Sequence, residues 1–224
     1  MPIRNWPESE RPREKLIREG AARLSDAELL AIFLHTGRAG SSAVDVAREA
    51  LGRFGNLTGL FAARLDQFTR VKGLGPAKFA QIQASYEMTK RTLGESLREG
   101  PVLGSSRAVR EYLQLQIGSE PYEVFFALFL DSKNHLLVAR ELFRGTLTQT
   151  SVYPREVVKA GLAANAAGVV FAHNHPAGRP EPSAADIALT GTLESALALI
   201  DIRVLDHLIL AGREVFSFAE DGRL

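Results

Sequence analysis

The spacing of apolar residues along this 224-residue chain changes once, near residue 100. Before that point, apolar residues recur every three or four positions in short segments, which is the period of amphipathic helices. After it, apolar runs of strand length alternate with helical segments, which is the pattern of an α/β domain. We therefore predict a small all-α domain over residues 1–100 and an α/β domain with a mixed sheet over residues 101–224, joined by a linker from Gly94 to Gly104.

Local signals place the individual elements of both domains. In the first domain, Ser25 and either Ser41 or Ser42 are expected to cap helices. A short helix is predicted over residues 60–65, and Pro76 suits the first turn of the last helix, where its missing N–H costs nothing. In the second domain we predict helices at 106–116, 154–165 and 183–199, and strands at 123–130, 135–142, 168–172, 202–210 and 215–218.

The chain contains no cysteine, which removes several classes of protein at once. Without thiols it cannot form disulfide frameworks, thiolate zinc fingers, iron–sulfur clusters or a cysteine nucleophile. The zinc nucleobase deaminases, which need Cys ligands, are excluded for the same reason. Any metal that the protein binds must therefore be held by His, Asp or Glu.

Charge is divided unevenly between the two predicted domains. Residues 1–100 carry 16 basic and 12 acidic side chains, and residues 101–224 carry 11 and 14, so the net charges are +4 and −3. This asymmetry suggests two functional units, although +4 is far from a strong polyanion signal. The N-terminus lacks the apolar core of a secretory signal, and no apolar run approaches ~18 residues, so we expect a cytoplasmic protein with no membrane partner.

The stretch from His173 to Asp186 carries the most chemical information. It follows a predicted buried strand, in which residues i and i+2 project from the same side, so His173 and His175 should present two imidazoles together. Asp186 falls in the first turn of the next predicted helix. Two imidazoles and one carboxylate leave the fourth position of a tetrahedral ion open for water, which is the arrangement of a catalytic zinc.

Each part of this stretch also has a purely structural interpretation. The segment Ser183 to Asp186 has the form of a capping box, and aspartate is favoured near the positive end of a helix. The two histidines could lie in solvent. Capping and metal binding are compatible, because a cap fixes the position of the carboxylate. The strand, the His pair and the Ser-x-x-Asp motif together favour a metal site.

The same stretch resembles the JAMM metalloprotease signature, His-x-His followed after seven residues by Ser-x-x-Asp, at every position. Flanking segments narrow the resemblance to the bacterial RadC family, over nearly the whole chain. The fold it implies is a mixed-sheet JAMM/MPN (cytidine-deaminase-like) domain preceded by a small all-α helix-hairpin-helix domain. Ala177, where relatives commonly carry Ser, is a departure at a position that is not a ligand. The resemblance rests on residues 24–31, 73–78, 153–157, 165–167, 173–176 and 205–207.

The resemblance implies a role for each residue of the predicted site. By it, His173, His175 and Asp186 would bind zinc, which we expect at one ion per chain. Ser183 would hydrogen-bond and help to stabilise an oxyanion. A glutamate at the start of the first long strand of the domain would be the general base, and Glu123 occupies that place.

Alternatives to these roles remain open. Glu123 could be a solvated charge at a strand edge, and Glu156 competes as the base, although an acidic residue is favoured in the first turn of a helix in any case. His207 is expected to lie in the core or to support the ligands, since a fourth protein ligand would occupy the position of the water. His35 and His135 have no cluster around them and receive no role.

A second motif, Lys72 to Lys78, lies in the helical domain. It resembles the turn of a helix-hairpin-helix, in which backbone N–H groups at Gly73 and Gly75 and a helix N-terminus can bind a phosphate of DNA. Lys72 and Lys78 could add positive charge, as could Arg70. The alternative is a tight turn between helices, in which glycine supplies a positive φ.

The predicted function is that of a RadC-like zinc metallopeptidase that hydrolyses a peptide or isopeptide bond. Zinc would activate a water and polarise the scissile carbonyl, and a glutamate would transfer the proton. The alternative is a DNA-binding accessory protein of repair or recombination whose metal domain is structural or inactive. Turnover that depends on Glu123 would favour the peptidase, and salt-dependent DNA binding without turnover would favour the alternative.

Overall fold

A computed structural model of the protein describes residues 3–102, 106–145, 152–176 and 178–224. The chain divides into an N-terminal unit, Met1–Thr89, and a C-terminal unit, Lys90–Leu224. The boundary lies within the helix Pro76–Glu99, so the predicted linker is wrong from residue 94 to residue 99. Gly94 lies inside this helix with the ring of Tyr112 packed against it. A Cβ added at Gly94 would lie only 3.3 Å from Cε2 of that ring. Residues 103–105, at the end of the predicted linker, and Ala177 lie outside the described residues.

Side-chain caps set the starts of three helices in the N-terminal unit. Ser25 forms the predicted capping box, and Ser42, one of the two serines predicted to start the second helix, forms another. The helix predicted over 60–65 instead begins three residues earlier, because the side chain of Asn56 accepts a hydrogen bond from the backbone N–H of Gly59 and caps it. The helices are α1 (Pro12–Glu19), α2 (Asp26–Leu34), α3 (Ala43–Phe54), α4 (Leu57–Ala62), α5 (Leu65–Phe68) and α6 (Pro76–Glu99), with 3-10 turns at Ile3–Asn5, Glu8–Glu10 and Ala21–Arg23.

The described residues of the C-terminal unit form a mixed five-stranded sheet and three further helices. Every helix and strand predicted from the sequence of this unit is confirmed to within two residues at each end. The strand order is β2-β1-β3-β4-β5, in which β3 and β4 are parallel and the other pairs are antiparallel. The elements are α7 (Ser106–Ile117), β1 (Val124–Leu130), β2 (Leu136–Arg144), α8 (Pro154–Ala163), β3 (Gly168–Asn174), α9 (Ala184–Ala198), β4 (Arg203–Ala211) and β5 (Glu214–Ser217).

Alternation along the central strands decides which face each side chain of the sheet occupies. On β3, Val170 and Ala172 pack into the cluster that contains residues of α7, whereas Val169 and Phe171 pack into the cluster that contains residues of α8 and α9. The period of two therefore places His173 on the face covered by α9. Both faces are covered, which explains why β1 and β3 are buried along their whole length.

Among the described residues, we find no helix that combines the length and the apolar character needed to cross a membrane.

Candidate metal centre

The end of β3 brings two histidines together. His173 is the last residue but one of the strand, and His175 follows it, held beside β4 by a backbone hydrogen bond from its N–H to the carbonyl oxygen of Leu210, 2.7 Å. The two Nε2 atoms lie 2.9 Å apart. The side chain of His173 is 8% exposed and that of His175 is 17% exposed. The imidazole pair therefore lies at the end of a buried strand and is partly open to solvent.

The first turn of α9 supplies a carboxylate to the same place. The capping box that was predicted at this helix start is present: Asp186 donates its N–H to Ser183 Oγ, 3.2 Å, while the N–H and the hydroxyl of Ser183 donate to Asp186 Oδ2 at 2.8 and 2.6 Å. The other oxygen, Oδ1, lies 3.3 Å from His173 Nε2. The cap thus holds Oδ2, which lies 3.7 Å from His175 Nε2, and leaves Oδ1 facing His173.

The three residues fit a metal ion in chemistry and in spacing. His173, His175 and Asp186 each offer one donor atom, and these atoms lie within 4.8 Å of one another. Ligands about 2.0–2.1 Å from a tetrahedral zinc are separated by roughly 3.3 Å, close to the 2.9 and 3.3 Å found here. Nδ1 of His175 donates to the carbonyl oxygen of Arg179, 2.9 Å, which turns Nε2 towards the other donors. Imidazole and carboxylate together are a donor set that suits zinc.

Burial and charge set the protonation of this group in the absence of an ion. Burial lowers the pKa of His173 to about 4, so its ring is neutral at neutral pH. A hydrogen bond to Asp186 raises the pKa of His175. Burial opposes the ionisation of Asp186, but hydrogen bonds from His175 and Ser183 outweigh it and hold the pKa of the carboxyl well below its usual range. The carboxylate is therefore ionised, and a positive charge at His175 is favoured beside it.

Glu123 lies next to this group. It immediately precedes β1, and since Phe125 pairs with His173 across the antiparallel strands, Glu123 lies two residues further towards His175. Its negative charge contributes to the raised pKa of His175. The structure thus brings Glu123 to the same end of the sheet as the two histidines and Asp186.

Asn174, which was not singled out from the sequence, fixes the backbone on both sides of Glu123. Its side chain projects from the face of β3 opposite to His173. Oδ1 accepts from the N–H of Val124 at 2.7 Å, and Nδ2 donates to the carbonyl oxygen of Tyr122 at 3.0 Å. An amide at a buried strand end, between two histidines, is the sequence signal that could have indicated this role.

The imidazole of His207 touches His173 from the side away from the other donors. His207 is fully buried in β4, and its Nε2 lies 2.8 Å from Nδ1 of His173. Its Nδ1 lies 2.7 Å from Oγ1 of Thr190, a residue of α9 to which the sequence motifs assign no role. Burial lowers the pKa of His207 well below its usual value, so the ring is neutral.

The remaining candidates from the sequence lie elsewhere. Glu156 is in the first turn of α8, where its carboxylate forms ion pairs with Lys159 at 3.0 Å and Arg155 at 3.3 Å. His35 contacts Gln81, and His135 contacts Asp131. The structure brings none of these three residues into the described group around His173.

The turn from Lys72 to Lys78, in the N-terminal unit, is held by hydrogen bonds from the side chains of Lys78 and Arg38. Nζ of Lys78 donates to the carbonyl oxygens of Thr36 and Gly73, each at 2.8 Å, and burial lowers its pKa. Arg38 donates to the carbonyl oxygen of Lys72, 2.9 Å. Gly73 has φ +90°, which a side chain would strain. Lys78 therefore supports the turn, whereas Lys72 is exposed. Gly75, the other predicted phosphate contact, immediately precedes α6.

Comparison with known proteins gives matches over both units. Residues 103–223 match the family described as RadC-like JAB domain, and residues 3–80 match the UPF0758 N-terminal family. A UPF0758 protein of Janthinobacterium sp. is 61% identical over 224 residues, which is 100% of each chain. UPF0758 proteins of Herminiimonas arsenicoxydans and Nitrosomonas europaea are each 59% identical, over 100% and 99% of both chains respectively.

Proposed function

The chain belongs to the RadC family, with a RadC-like JAB domain and a UPF0758 N-terminal region, and from that premise we propose that it is a zinc-dependent metallopeptidase that hydrolyses a peptide or isopeptide bond. The observation that carries this proposal is the placement of Glu123 beside His173, His175 and Asp186, whose donor atoms lie within 4.8 Å of one another. A closed structural site would need a fourth protein ligand instead of a neighbouring base.

The chain's own residues perform the binding and the proton transfer. A zinc ion, when bound, supplies Lewis acidity towards a carbonyl oxygen and lowers the pKa of a coordinated water. His173 and His175 would hold the ion through their imidazoles and Asp186 through its carboxylate. The Glu123 carboxylate takes one proton as the water oxygen bonds to the carbonyl carbon, and it returns that proton to the amine nitrogen as the C–N bond breaks. General base catalysis of this kind contributes about 10²–10⁴-fold.

Two further residues support this chemistry. Asn174 holds the backbone on both sides of Glu123, so the carboxylate needs little reorganisation before proton transfer. Ser183 orients the carboxylate of Asp186 through its hydroxyl, and that hydroxyl would have to turn away from Oδ2 to donate to an oxyanion.

The test is a comparison of two glutamates. Zinc-loaded wild-type protein, Glu123→Gln and Glu156→Gln are incubated with a panel of peptides and isopeptide-linked peptides. We expect Glu123→Gln to retain near-normal zinc content and fold but to lose at least ~10²-fold in turnover, because glutamine keeps the shape and loses the base. Glu156→Gln should cleave like the wild type. Cleavage by Glu123→Gln with an inactive Glu156→Gln would refute this assignment of the base, and no cleavage by zinc-loaded wild type would count against the peptidase.

A further inference from the structure

A chain of hydrogen bonds leads from α9 through two buried side chains to His173. Oγ1 of Thr190 lies 2.6 Å from the backbone carbonyl oxygen of Asp186, one helical turn earlier, and 2.7 Å from Nδ1 of His207. Nε2 of His207 lies 2.8 Å from Nδ1 of His173. Thr190, His207 and His173 are all buried, and each hydrogen bond joins two protein groups directly.

The hydrogen bond from Thr190 to Asp186 decides which group donates and which accepts in each of the other hydrogen bonds. A carbonyl oxygen has no proton, so the hydroxyl of Thr190 must donate to Asp186. A hydroxyl has one proton, so the same oxygen can only accept from His207, whose Nδ1 must carry a hydrogen. In a neutral imidazole the second nitrogen is then an acceptor, and Nε2 of His207 receives the Nδ1–H of His173. Nε2 of His173 is consequently left without a proton, and it is this atom that faces Asp186 Oδ1 and His175.

We propose that Thr190 and His207 are positioning residues that set the tautomer of His173, and thereby prepare its Nε2 to bind a cation. This inference rests on the proposed metal site, since it assigns what prepares one of the ligands. If the donors and acceptors of these hydrogen bonds were reversed, a hydrogen would lie on Nε2 of His173, where it would block binding of the ion. The hydroxyl at position 190 is the group that excludes this alternative.

Packing keeps the members of the chain in register. The ring of His207 stacks on Phe218 with 5.0 Å between centroids, and the ring of His173 stacks on Phe125 at 6.3 Å. Thr190 lies four residues after Asp186 on α9, so one helix supplies both the carboxylate ligand and the start of the chain. The orientation of Asp186 and the tautomer of His173 are therefore set by the same element.

The direct test reads the ring nitrogens of the metal-free protein. In two-bond ¹⁵N–¹H NMR spectra of the chelator-treated full chain, at a pH where both rings are neutral, we expect hydrogen on Nδ1 of both His173 and His207. In Thr190→Val, which keeps the shape and removes the hydroxyl, both rings should shift towards the Nε2–H form. In the matched control Thr190→Ser, which keeps the hydroxyl, they should remain as in wild type.

Zinc affinity, measured by competition with a chelator, provides the second readout. Loss of a partner that supports a ligand typically costs about 10–100-fold in affinity, so we expect that decrease for Thr190→Val and near-wild-type affinity for Thr190→Ser. A role in packing alone predicts the reverse order, because valine keeps the buried volume and serine does not.

The two readouts separate this inference from the proposed function. Hydrogen on Nε2 of His207 in the wild type, or unchanged tautomers and zinc affinity in Thr190→Val, would overturn the inference while leaving a zinc site in place. The expected tautomers in a wild-type protein that binds no zinc would support the hydrogen-bond chain and refute the proposed metal function.

Discussion

Replacing Asp186 by Asn separates the two roles of this carboxylate, the cap of α9 and the ligand. The N–H and the hydroxyl of Ser183 both donate to the oxygen Oδ2. Only the oxygen of an asparagine amide can accept these bonds, so the amide oxygen must take the place of Oδ2 and the NH₂ group must take the place of Oδ1. That NH₂ group then faces His173 from 3.3 Å, where it can donate a hydrogen bond but cannot bind a cation.

The expected magnitudes follow from this geometry. The helix keeps its cap and loses a negative charge near its N-terminus, which costs about 0.3–1 kcal/mol of the free energy of unfolding. Zinc affinity should fall by more than ~100-fold, the upper end of what loss of a supporting partner costs. At free zinc of 100 times the wild-type Kd, zinc stabilises the wild type by about 2.7 kcal/mol, whereas a variant with a 100-fold higher Kd gains only ~0.4 kcal/mol.

The assay is denaturant unfolding of chelator-treated protein with and without added zinc, followed by circular dichroism. Asp45→Asn is the matched control, because Ser42 donates its N–H and hydroxyl to Oδ2 of Asp45 at 2.8 and 2.7 Å in the same capping box, in the N-terminal unit. We expect zinc to stabilise Asp45→Asn as it stabilises the wild type. If zinc stabilised Asp186→Asn as fully as the wild type, or if both variants lost the same amount of zinc-dependent stabilisation, the assignment of one oxygen of Asp186 to the cap and the other to the ion would be refuted.

Three further predictions concern acidity, capping and DNA. Burial lowers the pKa of His173 from 6.5 to about 4, so between these pH values the unfolded chain binds a proton that the folded chain does not. In urea denaturation of metal-free protein, this group should therefore lower the free energy of unfolding by about 3 kcal/mol as the pH falls from ~6.5 to ~4. Ser183→Ala and Ser42→Ala should each cost about 1 kcal/mol in the same assay, but only Ser183→Ala should weaken zinc binding, by about 10-fold in chelator competition. In mobility-shift assays we expect weak binding of duplex DNA that decreases as salt rises. Lys72→Glu should remove this binding without changing the free energy of unfolding, whereas Lys78→Glu should remove it and also destabilise the turn. Undetectable binding at low salt would leave the turn with a structural role alone.

Features that depend on neighbouring residues could be predicted from the sequence. The capping boxes at Ser25, Ser42 and Ser183 each need only a serine and an acidic residue three positions later, and all three are present. The two histidines follow from the period of a strand. The linker prediction is wrong at Gly94 because a glycine does not by itself end a helix, and here a ring from α7 packs against it inside the helix.

Features that depend on pairing between distant segments could not be predicted. Asn174 bonds to Val124 across 50 residues, and His173 contacts His207 across 34 residues. The order of the strands decides these neighbours, and no local pattern in a single sequence encodes that order. Thr190 has a local signal, its position four residues after Asp186, but its second contact requires β4 to lie beside β3.

The metal content of the protein tests the central claim most directly. Full-length protein purified without chelators is analysed for metals beside the double variant His173→Ala, His175→Ala, with folding of both checked by circular dichroism. We predict about one zinc per chain in the wild type and none in the folded double variant, because two imidazoles and one carboxylate are the expected ligands. Unchanged zinc content in the double variant would contradict the assignment of these residues as the metal centre.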